Sequence, residues 1–346
     1  MMSRHSDKHS ISAAMAISLL SVVIIARNEE EALPALLRDI KKQSFPRSQT
    51  EILLIDSMSS DATLDIMEEF RQENQQFYKV KVLQNPDRYL PHGCNLALDE
   101  YSGDAMVRID AHATIPEDFL EASVNALNQG YWVAGGRRET ILKKNGLWRS
   151  VLLAAENSVF GSGGASYRRK QNSGYVKSVF HGAYRREVFD RVGNYDQRLL
   201  RTEDNDMSYR IRQAGYQIFF DPEIVSFQHI RDSLLGFLRQ KAANGYWVGR
   251  TLPIQPACIG LFNLVPAVFC IAIVLAIILA LFGLCLPLLV LILAYLLACV
   301  VGTVLSFKAD SANNWRCITL PFLFLAMHLG YGFGSILGLI SGIIKK

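Results

Sequence analysis

From Cys258 to its C-terminus the chain is almost purely apolar, interrupted by one short polar stretch, Lys308 to Arg316. A single membrane-crossing helix needs about 20 apolar residues, and three segments meet that length, near 260–281, 284–305 and 318–344. The third carries Gly330, Gly334, Gly338 and Gly342 at every fourth position. On a helix these form one flat stripe that permits close helix contact, within the chain or between copies in a homo-oligomer. The first two segments hold no ionisable residue, which argues against an ion or proton pathway.

Up to about Arg250, charged and apolar residues mix as they do in a soluble domain. We therefore expect a soluble domain at 1–231, amphipathic interface helices at 232–257 and a membrane region of about three helices at 258–346. The amphipathic stretch carries Leu234, Leu235, Phe237, Leu238, Tyr246 and Trp247 beside basic residues, a pattern suited to the membrane surface. A net charge of +4 with no basic stripe excludes nucleic acid as an evident partner. The six cysteines lack metal-ligand spacing and read as small buried hydrophobes. Arg4 and Lys8 before the apolar run Ile11–Ala26 imitate a signal peptide. The serines within that run, and its unbroken passage into Arg27-Asn28-Glu29, favour a buried strand over Leu19–Ala26 instead.

A near-continuous β-branched run at 19–26 marks a strand buried on both faces of a parallel sheet, 51–56 reads as a second buried strand, and 79–83 and 105–110 read as a third and a fourth strand. Helical spacing separates them, at 28–40, 61–72 and 94–100. The alternation predicts an open α/β sheet. Helices are also expected at 115–128, 147–160, 187–192 and 204–214, strands at 131–140 and 216–220, and a mobile Gly/Ser-rich loop at 161–173. Ligands of such sheets sit beyond the carboxyl ends of the strands, where Ala26-Arg27-Asn28-Glu29, Asp56-Ser57 and Asp110-Ala111-His112 all fall.

Each polar cluster has a plain and a functional reading. Asp110 and His112 are a satisfied polar pair, or they bind a cation that neutralises a diphosphate. Thr202-Glu203-Asp204 is an acid-rich helix start, or it supplies a general base toward a hydroxyl. Asp56 caps the next helix, although Asp61 suits that job better, or it accepts hydrogen bonds from a nucleoside. Arg88 and Arg108 are surface cations or phosphate contacts. His229 is a core residue or a third metal ligand.

Together these residues resemble the family-2 glycosyltransferases with the GT-A fold, over about Leu19 to Arg250. Val22 to Glu30 is similar to the opening strand followed by N-E. Leu53 to Thr63 is similar to V-D-x-x-S-x-D-x-T, and Asp110-Ala111-His112 occupies the D-x-D position. His181 to Asp206 is similar to the acceptor-side block ending in the catalytic E-D. Arg108 to Ala113 and the apolar tail look closest to the membrane-anchored, succinoglycan ExoA-type subgroup. The third D-x-D position is a histidine, which keeps Mn²⁺ use and makes Mg²⁺ less favoured. The Q-x-x-R-W motif of processive synthases is not matched.

The resemblance implies an α/β, mostly parallel GT-A (Rossmann-like) sheet flanked by helices, with C-terminal transmembrane helices. It implies an inverting transfer from a nucleotide-sugar, UDP-glucose or similar, to a polyprenyl-pyrophosphate-linked oligosaccharide in bacterial exopolysaccharide synthesis. The alternatives are a polyprenyl-phosphate sugar transferase and a nucleotide-sugar-sensing membrane scaffold. Asp204 would be the base. Ala26, Asn28, Glu29, Asp56, Arg88 and Asp110 would bind the donor. Asp110, His112 and His229 would hold Mn²⁺ or Mg²⁺. His181, Gly182, Glu203 and Trp247 would border the acceptor. The catalytic domain would be cytosolic at the inner membrane, a topology that puts Lys345 and Lys346 outside, against the positive-inside tendency.

Overall fold

The computed structural model describes residues 15–142, 146–161, 171–230, 233–309 and 315–344. Most of the apolar N-terminal run before Met15, most of the Gly/Ser-rich loop (162–170), and 310–314 of the polar stretch lie outside the described residues.

The sheet begins with four parallel strands, β1 (Leu20–Ala26), β2 (Thr50–Asp56), β3 (Lys79–Gln84) and β4 (Ala105–Asp110), in the order β3-β2-β1-β4. Their register sets Ala26 beside Asp56 and Ile25 beside Asp110, so both acids reach the same rim. Beyond β4 the sheet continues through β8 (Phe180–Arg185), β6 (Val133–Ile141), β9 (Ile218–His229) and β5 (Ala113–Thr114), with β7 (Gly174–Val176) also on β9.

Strand alternation divides the apolar side chains between two layers. Val22, Ile24, Ile52, Leu54 and Val107 pack with helices α1 (Leu33–Lys41), α2 (Thr63–Glu73) and α4 (Phe119–Asn128). Val23, Leu53, Ile55 and Met106 pack with α3 (Leu90–Glu100), α6 (Arg186–Val192) and α7 (Glu203–Gln213). Each such side chain, fully buried, contributes roughly 1.5–3 kcal/mol.

Helix α3 starts four residues earlier and α4 four residues later than their patterns, and two elements differ further. Helix α1 starts at Leu33 rather than Asn28, because Asn28 adopts a left-handed φ of 55°. Strand β9 runs twelve residues, past the expected end at Phe220. Pro222 cannot donate to a ladder, yet a register shift against β6 between Gly136 and Arg137 carries the strand across it.

Helices α9 (Val265–Leu281), α10 (Leu286–Ala309) and α11 (Leu320–Ile344) coincide with three segments long and apolar enough to cross a membrane, Leu261–Leu281, Leu286–Phe307 and Arg316–Ile344. Helix α8 (Leu234–Thr251) packs along α11 with their backbones nearly touching. A Cβ at Gly249 would stand 1.9 Å from the Ser335 carbonyl oxygen, and one at Gly338 would stand 1.9 Å from that of Tyr246. Gly334 meets Ala242 in the same way. Of the two occupants the stripe left open, α8 of the same chain is the one that packs on Gly334 and Gly338. Helix α5 (Leu147–Asn157) joins this unit through Val151, Leu152 and Ala155, packed with Phe237 and Phe324. Beyond α5, Phe160 sits against Phe324 and Tyr295, and its carbonyl accepts from His328 Nε2 at 2.8 Å.

Candidate active site

Three loops leave the carboxyl ends of β1, β2 and β3, and each contains a non-glycine residue at positive φ: Asn28 (55°), Met58 (56°) and Arg88 (66°). The fourth such residue among those described is His181 (47°), in β8. Conformations of this kind cost about 1–3 kcal/mol each and persist where neighbours over-determine them. The first two loops are stitched together. Asn28 Oδ1 accepts from Ser60 N at 2.8 Å, and Asn28 N donates to Ser59 Oγ at 3.0 Å. Glu29 N donates to Thr63 Oγ1 at 2.8 Å.

Asp56 is 1% exposed, and both its oxygens lie 3.2 Å from Ser59 N. It frames the turn that follows β2. Asp61 takes the capping role, accepting from Thr63 N at 3.1 Å and Thr63 Oγ1 at 2.6 Å. Ala26 contributes its carbonyl to Ser57 N at 2.8 Å. Arg88 is exposed on the third loop.

Asp110 ends β4, and its amide donates to His181 Nε2 at 3.1 Å. Burial, then the charge of Arg108, depresses the His181 pKa against the pull of Asp110. Burial alone would push the Asp110 carboxyl up. His181, Arg108 and His112 outweigh it and hold the carboxylate well below the usual range. His112 Nδ1 lies 3.1 Å from Glu29 Oε1, and its Nε2 lies 3.4 Å from Gln228 Nε2.

Arg108 lies at the centre of the site. Its guanidinium is 3.4 Å from Glu203 Oε1 and 3.9 Å from Asp110 Oδ1. Glu203 is 3% exposed and starts α7. Burial first, and the neighbouring Asp204 second, push its carboxyl up to about 8. Burial also raises Asp204, against Arg108, with Asp110 adding to the rise. Cys94, 3.7 Å from Arg108, is pushed up to about 11 by burial and remains a thiol.

Arg108, His181, Gly182, Tyr184, Tyr195 and Asp204 line one narrow cleft. Gly182 is needed there, because a Cβ would come within 2.9 Å of the Tyr184 hydroxyl. A roomier groove of about 880 Å³ between α4 and β9 contains none of these residues. Its walls carry Asp118, Glu121, Asp221 and Glu223, a poor match for a diphosphate.

Among the described residues no three His, Cys, Asp or Glu side chains converge as metal ligands. His229, expected as a third ligand, stands next to Gln228 at the end of β9. On β9 it is Gln228 that reaches His112, and successive strand residues face opposite sides. Asp110 and His112 stand two residues apart at the end of β4. Trp247 lies on α8, stacked edge-on with Tyr246 and beneath Arg250, outside the cleft lining. Sequence reasoning missed Tyr195 and Gln228. Tyr195 is fixed by a reciprocal pair with Asn95 at 2.7 and 2.9 Å, and nothing local in the sequence signals such a pair.

The sequence profile described as glycosyl transferase family 2 matches residues 21–193, half of the 346. The chain belongs to glycosyl transferase family 2. It is a glycosyltransferase that acts on nucleotide-sugars. The succinoglycan biosynthesis protein ExoA of Rhizobium meliloti is 28% identical over 232 residues, 66% of this chain and 68% of that protein. A Methanococcus voltae family member, the dolichyl N-acetyl-alpha-D-glucosaminyl phosphate 3-beta-D-2,3-diacetamido-2,3-dideoxy-beta-D-glucuronosyltransferase, is 24% identical over 330 residues, 94% of this chain and 98% of that one. Among solved structures, the mannosyltransferase PcManGT of Pyrobaculum calidifontis, in complex with GDP-Man and Mn²⁺, superposes with a TM-score of 0.57 at 15% identity. The match covers 96% of this chain and 89% of that one. That likeness shows the GT-A fold of the family.

Proposed function

We propose that this family-2 glycosyltransferase moves a hexose from a UDP-sugar, UDP-glucose or a close relative, to a polyprenyl-pyrophosphate-linked oligosaccharide. The transfer inverts the anomeric carbon and serves bacterial exopolysaccharide synthesis. The observation that carries the reading is that Arg108 of β4 and Asp204 of α7 line one cleft, while Asp110 and Glu203 both lie against Arg108. A donor diphosphate and an acceptor hydroxyl need these two kinds of group side by side.

In this reading Asp204 takes the proton of the acceptor hydroxyl. Burial raises its pKa toward the range useful to a base. Ala26, Asn28, Glu29 and Asp56 shape the nucleoside pocket, and Arg88 reaches the sugar or phosphates. His181, Gly182, Glu203 and, across α8, Trp247 border the acceptor. Asp110 and His112 fit a divalent cation, since they offer an ionised carboxylate and a half-exposed imidazole at one strand end. Such an ion, when bound, neutralises charge on the departing diphosphate. The imidazole favours Mn²⁺ over Mg²⁺.

We read 1–231 as the cytosolic catalytic domain, 232–257 as interface helices and 258–346 as the anchor in the bacterial inner membrane. The name of the R. meliloti relative supports the exopolysaccharide role. The name of the M. voltae relative, similar over nearly the whole length, gives a sugar-bearing dolichyl phosphate as acceptor. A second reading is transfer to polyprenyl phosphate itself. The undecaprenyl-phosphate 4-deoxy-4-formamido-L-arabinose transferase of Proteus mirabilis supports it, at 32% identity over 35% of the chain. Purified protein with Mn²⁺ and a panel of nucleotide-sugars separates the two by nucleoside diphosphate release. Release with a lipid-linked disaccharide and a UDP-sugar is expected. Release with undecaprenyl phosphate alone would select the second reading.

A further inference from the structure

Thr202 occupies the N-cap position of α7, yet its side chain caps nothing. A capping threonine stabilises a helix by about 1 kcal/mol, so the hydroxyl is committed elsewhere. Thr202 Oγ1 lies 2.6 Å from Thr251 Oγ1, at the last residue of α8. Thr251 Oγ1 already gives its one proton to the Trp247 carbonyl at 2.8 Å. The Thr202 hydroxyl must therefore donate to Thr251. Both residues are buried, at 3% and 1% exposure, where a hydroxyl bond of this kind is costly to lose.

This bond joins two units that carry different tasks. Glu203 and Asp204 follow Thr202 directly, Asp204 lining the cleft and Glu203 buried against Arg108. Thr251 ends a helix whose Gly249 lies on the Ser335 backbone and whose Tyr246 carbonyl lies on Gly338 of α11. The short turn Pro256–Cys258, following α8, also packs on α7. The start of the base-bearing helix is thus held from the membrane side as well as from the sheet.

We propose that Thr202 and Thr251 are positioning residues that set the place of Asp204 in the cleft and tie it to the α8–α11 pair. The proposal rests on the reading of Asp204 as the base. A displacement of about 1 Å in a catalytic group costs on the order of 100-fold in rate, so a lost bond appears in kcat and leaves the donor pocket intact.

The test uses full-length protein in lipid nanodiscs, with Thr202→Val, Thr251→Val, the double variant and Thr202→Ser. Turnover is followed as UDP release from UDP-glucose with a lipid-linked disaccharide. Donor-site integrity is followed by UDP affinity in Mn²⁺, and folding by thermal denaturation. Each valine variant is expected to lose about 10- to 100-fold in kcat with UDP affinity within about twofold of the parent. The double variant is expected to lose no more than either single one, and serine to restore turnover. Parental kcat per folded enzyme in Thr202→Val, losses that multiply, or a parallel loss of UDP affinity would overturn the proposal. An Asp204→Asn control separates the two claims. If it keeps turnover, the base assignment fails and the positioning role falls with it. If it is inactive while Thr202→Val turns over normally, the positioning role alone fails.

Discussion

Arg108 and Glu203 meet at 3.4 Å as a buried pair joined across 95 residues of chain. One comes from a parallel strand and the other from the first turn of α7. Their contact ties β4, which ends in Asp110, to the start of α7, which carries Asp204. Arg108→Met removes the cation that offsets the burial of Glu203. We expect a stability loss of about 1–3 kcal/mol, the cost of an unsatisfied buried group, together with loss of transfer. Chemical denaturation and turnover on the same preparation check both.

Glu203 gives a pH signature. Its carboxyl is raised from 4.5 to about 8 by burial first and Asp204 second. The folded state therefore binds more protons than the unfolded state between these values, and stability falls as pH rises through that window. Glu203→Gln should flatten this slope. Its melting temperature should exceed the parent's by a few degrees at pH 8, and the difference should vanish below about pH 4.5. An equal shift at every pH would contradict the assignment.

The two-ligand arrangement predicts an asymmetry among the polar residues. Asp110→Asn should weaken Mn²⁺-dependent UDP binding by more than tenfold, and His112→Ala by about tenfold, as lost metal contacts do. His229→Gln should leave the Mn²⁺ dependence as it is. Titration calorimetry of UDP at several Mn²⁺ concentrations separates the three.

The α8–α11 contact makes a mechanical prediction. At Gly338 a Cβ would lie 1.9 Å from the Tyr246 carbonyl oxygen, and backbone must move to admit it. Gly338→Ala should cost about 1–3 kcal/mol, the usual penalty of overpacking. Gly283→Ala should cost less through packing, because an added Cβ there would meet no atom within 4 Å, and the left-handed φ of 88° confines any loss to local strain. Thermal denaturation in nanodiscs compares the two variants.

Strands β1 and β2 are legible in the sequence because apolar runs buried on both faces carry their own signature, the edge strand β3 is legible from its alternation of Lys79 and Lys81 with Val80 and Val82, and the acids at 56 and 110 end β2 and β4. The run at 105–110 matches β4 to the residue. The pattern for β9 stops short of Pro222, since a register shift that bypasses a proline depends on the partner strand and leaves no local trace. Asp204 and its block are legible as an ordered motif. The Thr202–Thr251 bond is not, because it depends on a packing distance between helices separated by 49 positions. The glycine stripe is legible as a contact surface, but its occupant is not. Gly245 and Gly249 on α8 form a matching pair, and only the fold brings the two sets together.

The central claim is that one cleft holds the donor diphosphate and the base together. The direct measurement is Asp204→Asn, assayed in parallel for UDP affinity in Mn²⁺ and for sugar transfer to a lipid-linked acceptor. The account predicts parental UDP affinity with transfer reduced by at least about 100-fold, the lower range for loss of a general base. Transfer at the parental rate, with the substitution confirmed, would contradict it.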